Sequence, residues 1–83
     1  MPWAFMAWSR EQVALWANSE ELDLTPKDAR QFEQLHLRGK RLPEVSEMEL
    51  REEGISLGGA KDIMAGIRSL MSESSINTSQ NLL

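Results

Sequence analysis

Cysteine is absent from the chain and histidine occurs once, at His36. A disulfide framework is therefore excluded, as is a zinc site built on Cys or His, and the composition fits a reducing compartment. Tyrosine is missing, Val, Ile, Thr and Phe are sparse, and no stretch alternates apolar and polar residues over several positions, so strand signals are poor. No run approaches the roughly 18 apolar residues of a membrane-spanning helix. The segment Met1 to Trp8 has neither a basic flank nor a signal-like cleavage region, so membrane insertion and export are not expected. Positive charge is in deficit as well. Nine Lys and Arg against thirteen Asp and Glu leave a net charge of −4, which supplies no global field for nucleic acid or an anionic membrane. The expectation is a soluble intracellular domain, with the cytoplasm favoured over the nucleus.

What is present is a core and a set of helix signals. Of 83 residues 41% are hydrophobic, near the globular norm. A single domain this small buries only about 60% of the surface its unfolded chain exposes, and here apolar packing must do so unaided. Ser9, Arg10, Glu11 and Gln12 form a capping box that opens a helix to about Asn18. Thr25 as N-cap, Pro26 in the first helical position and Asp28 in the first turn open a second helix, to about His36. Leu42 to Val45, around Pro43, suits a very short helical turn. Ser46, Glu47, Met48 and Glu49 form another capping box, and Gly54 closes that helix ahead of Ile55 as an anchor.

The last helix has the clearest period, with Ala60, Ile63, Met64, Ile67, Leu70 and Met71 along one face. Beyond it, residues 72–83 are mostly polar and aperiodic, and read as a flexible tail. Residues 1–7, with Trp3, Phe5 and Met6, read as an arm that folds back over the core, since leaving it in water would expose a large apolar patch; part of it has the alternative of serving as an interface. The ends of the sequence suggest a piece of a longer chain. The fold class is all-α, a compact five-helix bundle with a long C-terminal helix. The predicted core is Val13, Trp16, Phe32, Leu35, Leu37, Leu50, Ile55, Ile63, Ile67 and Leu70.

Trp8, Ser9, Glu11, Val13 and Trp16 in the first helix begin a distributed pattern. Phe32, Leu37, Gly39 and Leu42 continue it, followed by Ser46, Glu49, Leu50, Gly54 and Ile55, then Leu57 and Gly58 at the start of a long helix with Ile63, Ile67 and Leu70. Over residues 8–71 the chain resembles a sterile alpha motif (SAM) domain. It departs from that family in having Asp28 about where a Tyr is frequent and Pro43 in place of a usual Leu. Trp16, Ala17, Leu24, Pro26, Asp28, Gly39 and Lys40 look somewhat like the pointed branch of Ets-type transcription factors, while Glu49, Leu50, Gly54 and Ile55 look like the ordinary branch.

Catalysis finds little support, and no enzyme activity, small-molecule substrate, cofactor or metal is expected. The carboxylates Glu44, Glu47, Glu49, Glu52 and Glu53 suit a solvated helix face better than acid–base work. His36 lacks a Ser, Cys or Asp partner at a meaningful spacing, and Gly58 and Gly59 lack the pattern of a nucleotide loop. Two patches of opposite character remain. Residues 44–53 hold five Glu and one Arg, a local charge of −4. Leu57, Gly58, Gly59 and Ala60 offer almost no bulk at a helix N-terminus, whose partial positive charge and unpaired amides attract carboxylates, with Lys61 and Arg68 adding full charge.

In SAM domains these regions are the mid-loop and end-helix surfaces, and the resemblance implies head-to-tail joining with itself or another SAM domain, as a scaffold or adaptor in a signalling or regulatory protein. Three alternatives stay open. The glycines have an architectural use and the Glu cluster a solubilising one. Some SAM domains bind RNA hairpins through a basic patch at the last helix, to which Gly59, Ala60 and Lys61 bear a faint likeness, but Asp62 and the net charge argue against nucleic acid. Others are monomeric modules with no partner of their own.

Overall fold

Side-chain caps fix where the helices of this protein begin. The computed structural model describes residues 4–81, with side chains through residue 72. In chain order they form a 3-10 turn at Ala4–Ala7, α1 (Arg10–Ala17), α2 (Pro26–Glu33), a 3-10 segment at Gly39–Glu44, α3 (Glu47–Glu52) and α4 (Leu57–Asn81). Among the described residues there is no strand and no helix long and apolar enough to cross a membrane. Trp3 lies outside the described residues.

Both capping boxes close in both directions. Ser9 Oγ accepts the Gln12 amide at 3.2 Å while Gln12 Oε1 accepts the Ser9 amide at 2.8 Å. Ser46 Oγ accepts the Glu49 amide at 3.2 Å and Glu49 Oε1 accepts the Ser46 amide at 3.0 Å. Thr25 Oγ1 accepts the Asp28 amide at 3.2 Å and starts α2, with Pro26 first in the helix. At the end of α3, Gly54 takes φ +96°, its amide bonds to Arg51 O at 3.0 Å and the Ile55 amide bonds to Leu50 O at 3.2 Å. That pair of bonds is a Schellman stop, and it drops Ile55 into the core.

Three boundaries differ from the sequence reading. The helix expected to reach His36 ends at Glu33. The Leu35 and His36 amides bond to the carbonyls three residues back, and His36 adopts φ 53°, which leaves the right-handed helix. The turn of chain that results packs Leu35 and Leu37 against the core. The short central turn begins at Gly39 rather than Leu42, because the Gly39 amide is fixed by Trp8 O at 3.1 Å. Finally, α4 continues to Asn81, past the end of its apolar period at Met71; propagation adds one backbone bond per residue and needs no apolar face.

The core is built from Phe5, Val13, Trp16, Phe32, Leu42, Leu50, Ile55, Ile63 and Ile67, together with the small Ala17 and Ala60. Seven of the ten residues expected from the sequence are buried, while Leu35, Leu37 and Leu70 are half-buried at its edge. A relay of rings crosses it. Phe5 meets Trp8 at 6.1 Å, Trp8 meets Trp16 at 6.2 Å and Trp16 meets Phe32 at 6.2 Å, all tilted or edge-on, the arrangement that ring quadrupoles favour. The N-terminal arm is thereby tied to α1 and α2.

Gly39 marks where that arm crosses the 3-10 segment. A Cβ there would stand 1.8 Å from the Phe5 carbonyl oxygen, an impossible approach to backbone. Gly39→Ala is therefore expected to pry the arm from the core and lower the unfolding midpoint in urea by a clear margin, with loss of the Trp8 near-UV circular dichroism. Ile63→Ala, which empties a site with no exposed surface, is expected to cost roughly 2–5 kcal/mol by the same measurement. Unchanged midpoints in both would contradict this packing.

Candidate functional site

The start of α4 is organised around one buried carboxylate. Asp28, in the first turn of α2, is only 4% exposed. Its Oδ1 accepts the Ser56 amide at 3.1 Å and its Oδ2 accepts the Ser56 hydroxyl. Ser56 Oγ in turn accepts the Gly59 amide at 3.0 Å, and Ser56 O accepts the Ala60 amide at 2.8 Å. Ser56 is thus the N-cap of α4, and Asp28 is the group that holds the cap in place. The negative charge also sits against the positive end of the helix dipole.

Gly59 is a consequence of this junction. A Cβ at that position would lie within 3 Å of the Asp28 carboxyl carbon and oxygen. Gly58 is different, since a Cβ there would meet open space. Of the six residues expected to form the end-helix patch, Gly59 and Ala60 are buried and face the protein's own interior. Leu57, Gly58, Lys61 and Arg68 are exposed. The amides of Leu57 and Gly58 make no hydrogen bond among the described residues, so own-chain groups occupy one side of the helix N-terminus and leave the other side open.

The acidic patch is likewise sorted by its contacts. Glu44 pairs with Arg41 at 3.4 Å, Glu49 is engaged in capping Ser46, and Glu47 lies 3.6 Å from Lys61 Nζ. The two patches that the sequence separates therefore touch within one chain, at Glu47 and Lys61. Glu52 and Glu53 are exposed with side chains in no ion pair among the described residues. Glu53 contributes its carbonyl instead, which accepts Gln31 Nε2 at 2.6 Å and joins α2 to α3.

Behind these carboxylates is an apolar pit of about 230 Å³, lined by Leu35, Leu37, Val45 and Leu50 with Glu49 and Glu53 on its rim. Sequence reasoning placed Leu35, Leu37 and Leu50 in the core and so missed the pit. It forms because His36 turns the chain and leaves two leucines at the edge. Asp28 was also missed as a buried group; its place in a Thr-Pro-x-Asp start pointed only to the dipole of its own helix. Nor does the sequence distinguish the three large apolar residues that, among those described, stay in water: Leu15 at 73%, Met48 at 71% and Leu57 at 48% exposure.

Chemically, the described residues offer no group of three His, Asp or Glu placed to hold a metal ion. What the arrangement provides is a knob, Leu57 with Lys61 one turn further on, and a hole with a carboxylate rim. Compared with known protein families, curated proteins and solved structures, the chain matches none.

The hydrogen bonds from Ser56 hold the Asp28 carboxyl below its ordinary pKa, with help from Thr25 and the Lys27 charge and against the effect of burial. A carboxyl whose folded pKa is depressed stabilises the fold above its unfolded value, near 3.9, and that contribution disappears as pH falls through the folded value. Asp28→Asn is therefore expected to lower stability near pH 7 and to flatten the loss of stability below about pH 4, read from urea midpoints across pH. Parallel pH profiles for the two proteins would show that this junction does not carry the effect.

Proposed function

We propose that this domain is a protein–protein association module that joins head to tail, the start of α4 on one copy entering the pit beside α3 on another. The reading is supported chiefly by one observation: an exposed Leu57 flanked by Lys61, and elsewhere on the chain a one-side-chain apolar pit with Glu49 and Glu53 at its mouth. Apolar residue matches apolar pit, and cation matches carboxylate.

The contact within the chain does not block this. Lys61 and Glu47 are 62% and 39% exposed and 3.6 Å apart, and an ion pair in that setting contributes about 0–1 kcal/mol. A neighbour's carboxylate can replace Glu47 at small cost. Knob and hole are different surfaces, so the contact is heterologous, and it extends into a filament unless its rotation closes a ring. A related domain that offers only one of the two surfaces would make a discrete pair instead. The resemblance to SAM domains, in which end-helix and mid-loop surfaces join in this manner, agrees with the reading and suggests a scaffolding or adaptor role. RNA binding is less well supported, because Asp62 follows Lys61 and the net charge of −4 supplies no field for phosphate.

Molecular mass measured by sedimentation over a concentration series tests the proposal. The wild-type mass is expected to climb with concentration and to fall back as salt shortens the screening length from about 10 Å at 0.1 M to about 3 Å at 1 M. Leu57→Glu blocks the knob and Val45→Glu the hole, so each alone should be monomeric while an equimolar mixture forms a dimer. Concentration-independent monomers throughout, the mixture included, would remove self-association.

A further inference from the structure

A second surface, sharing no residue with the first, lies between α1 and the far part of α4. It is an open groove of about 660 Å³, lined by Trp8, Leu15, Trp16 and Leu70, with Glu20 and Glu21 along its edge and Gln12 and Ser19 completing it. We propose that this groove docks a basic amphipathic helix of another protein, its apolar face against Leu15 and the two tryptophans and its lysines or arginines against Glu20 and Glu21.

Two observations carry the proposal. Leu15 is 73% exposed, more than any other large apolar residue described, and it stands beside two indole rings rather than alone. Isolated surface leucines need no explanation, but one continuous with aromatic surface does. Tryptophan is also among the residues most often found as binding anchors.

The charge in the groove's own lining has one sign. That lining contains two carboxylates and no cation, and Glu21 is shared with an adjoining depression that holds Asp62 and again no cation. Neither Glu20 nor Glu21 is in an ion pair among the described residues. Positive charge on a partner that buries Leu15 complements that rim, which disfavours an anionic lipid surface or a nucleic acid and favours a basic segment.

A helix is the form that fits, since residues at i, i+3, i+4 and i+7 present one apolar stripe flanked by charge.

The test uses a short synthetic helical peptide, with leucines at i, i+3, i+4 and i+7 and lysines elsewhere, titrated into the isotope-labelled full chain at low salt. Expected are amide shifts centred on residues 12, 15, 19–21 and 70 and a change in tryptophan emission. Leu15→Asp, a substitution in water that circular dichroism should show to leave the fold intact, is expected to weaken binding by about tenfold or more, an anchor-sized effect. Glu20→Lys with Glu21→Lys should do likewise, and a peptide with glutamate for lysine should not bind.

Shifts concentrated on residues 44–53, or binding indifferent to Leu15→Asp, would reduce the effect to unspecific attraction by acidic residues and overturn the proposal. So would groove shifts that appear on concentrating the chain alone, since the occupant would then be a second copy. Because Leu57, Lys61 and the pit take no part, this result and the head-to-tail result stand or fall separately.

Discussion

The carboxylate of Asp28, buried between α2 and the start of α4, is the contact on which the remaining architecture depends. It accepts two hydrogen bonds from Ser56, and Ser56 caps α4. The longest helix of the protein is thus positioned by a residue near the beginning of another helix, twenty-eight positions earlier in the chain. A buried charge is costly unless it is hydrogen-bonded and electrostatically compensated. Here Ser56 supplies the bonds and the helix terminus the compensation. The side chain that would obstruct this is missing at Gly59, so the composition of the α4 start is first a structural solution.

That solution also shapes the surface. By taking up one side of the α4 N-terminus, Asp28 leaves Leu57, Gly58 and Lys61 as the part that faces outward, a single apolar residue with a charge one turn away. Across the same chain, the reversal at His36 leaves Leu35 and Leu37 at the core's edge, where with Val45 and Leu50 they line the pit. Both halves of the proposed association are therefore by-products of how the bundle closes. The same is true of the groove at Leu15, where the ring relay from Phe5 to Phe32 holds Trp8 and Trp16 in place, Trp16 buried and Trp8 half-buried.

Local features were the most legible. Each cap called from Ser9, Thr25, Ser46 and Gly54 forms with the bonding expected, because a capping box or a Schellman stop involves residues only three to five apart. The apolar period of α4 placed Ala60, Ile63 and Ile67 inward for the same reason. Boundaries set by distant contacts were not legible. Gly39 stands in the sequence only as one member of a distributed pattern, whereas the approach of the Phe5 carbonyl is what requires a glycine there. Leu22 and Leu42 belong to the core although neither sits in a periodic stretch.

The candidate site divides along the same line. Sequence by itself determined that the chain is helical, where four of its helix ends fall, and that acidic residues 44–53 and a small-residue helix start exist, since each depends on neighbours within a turn or two. Only the tertiary structure decided which of those residues reach water: Gly59 and Ala60 turn inward, Glu47 meets Lys61, Glu49 is consumed in a cap, and Glu52 and Glu53 are exposed with no ion pair among the described residues. The reason is that burial and pairing are set by groups brought together from distant segments, and a pattern read along one segment carries no information about what packs across from it.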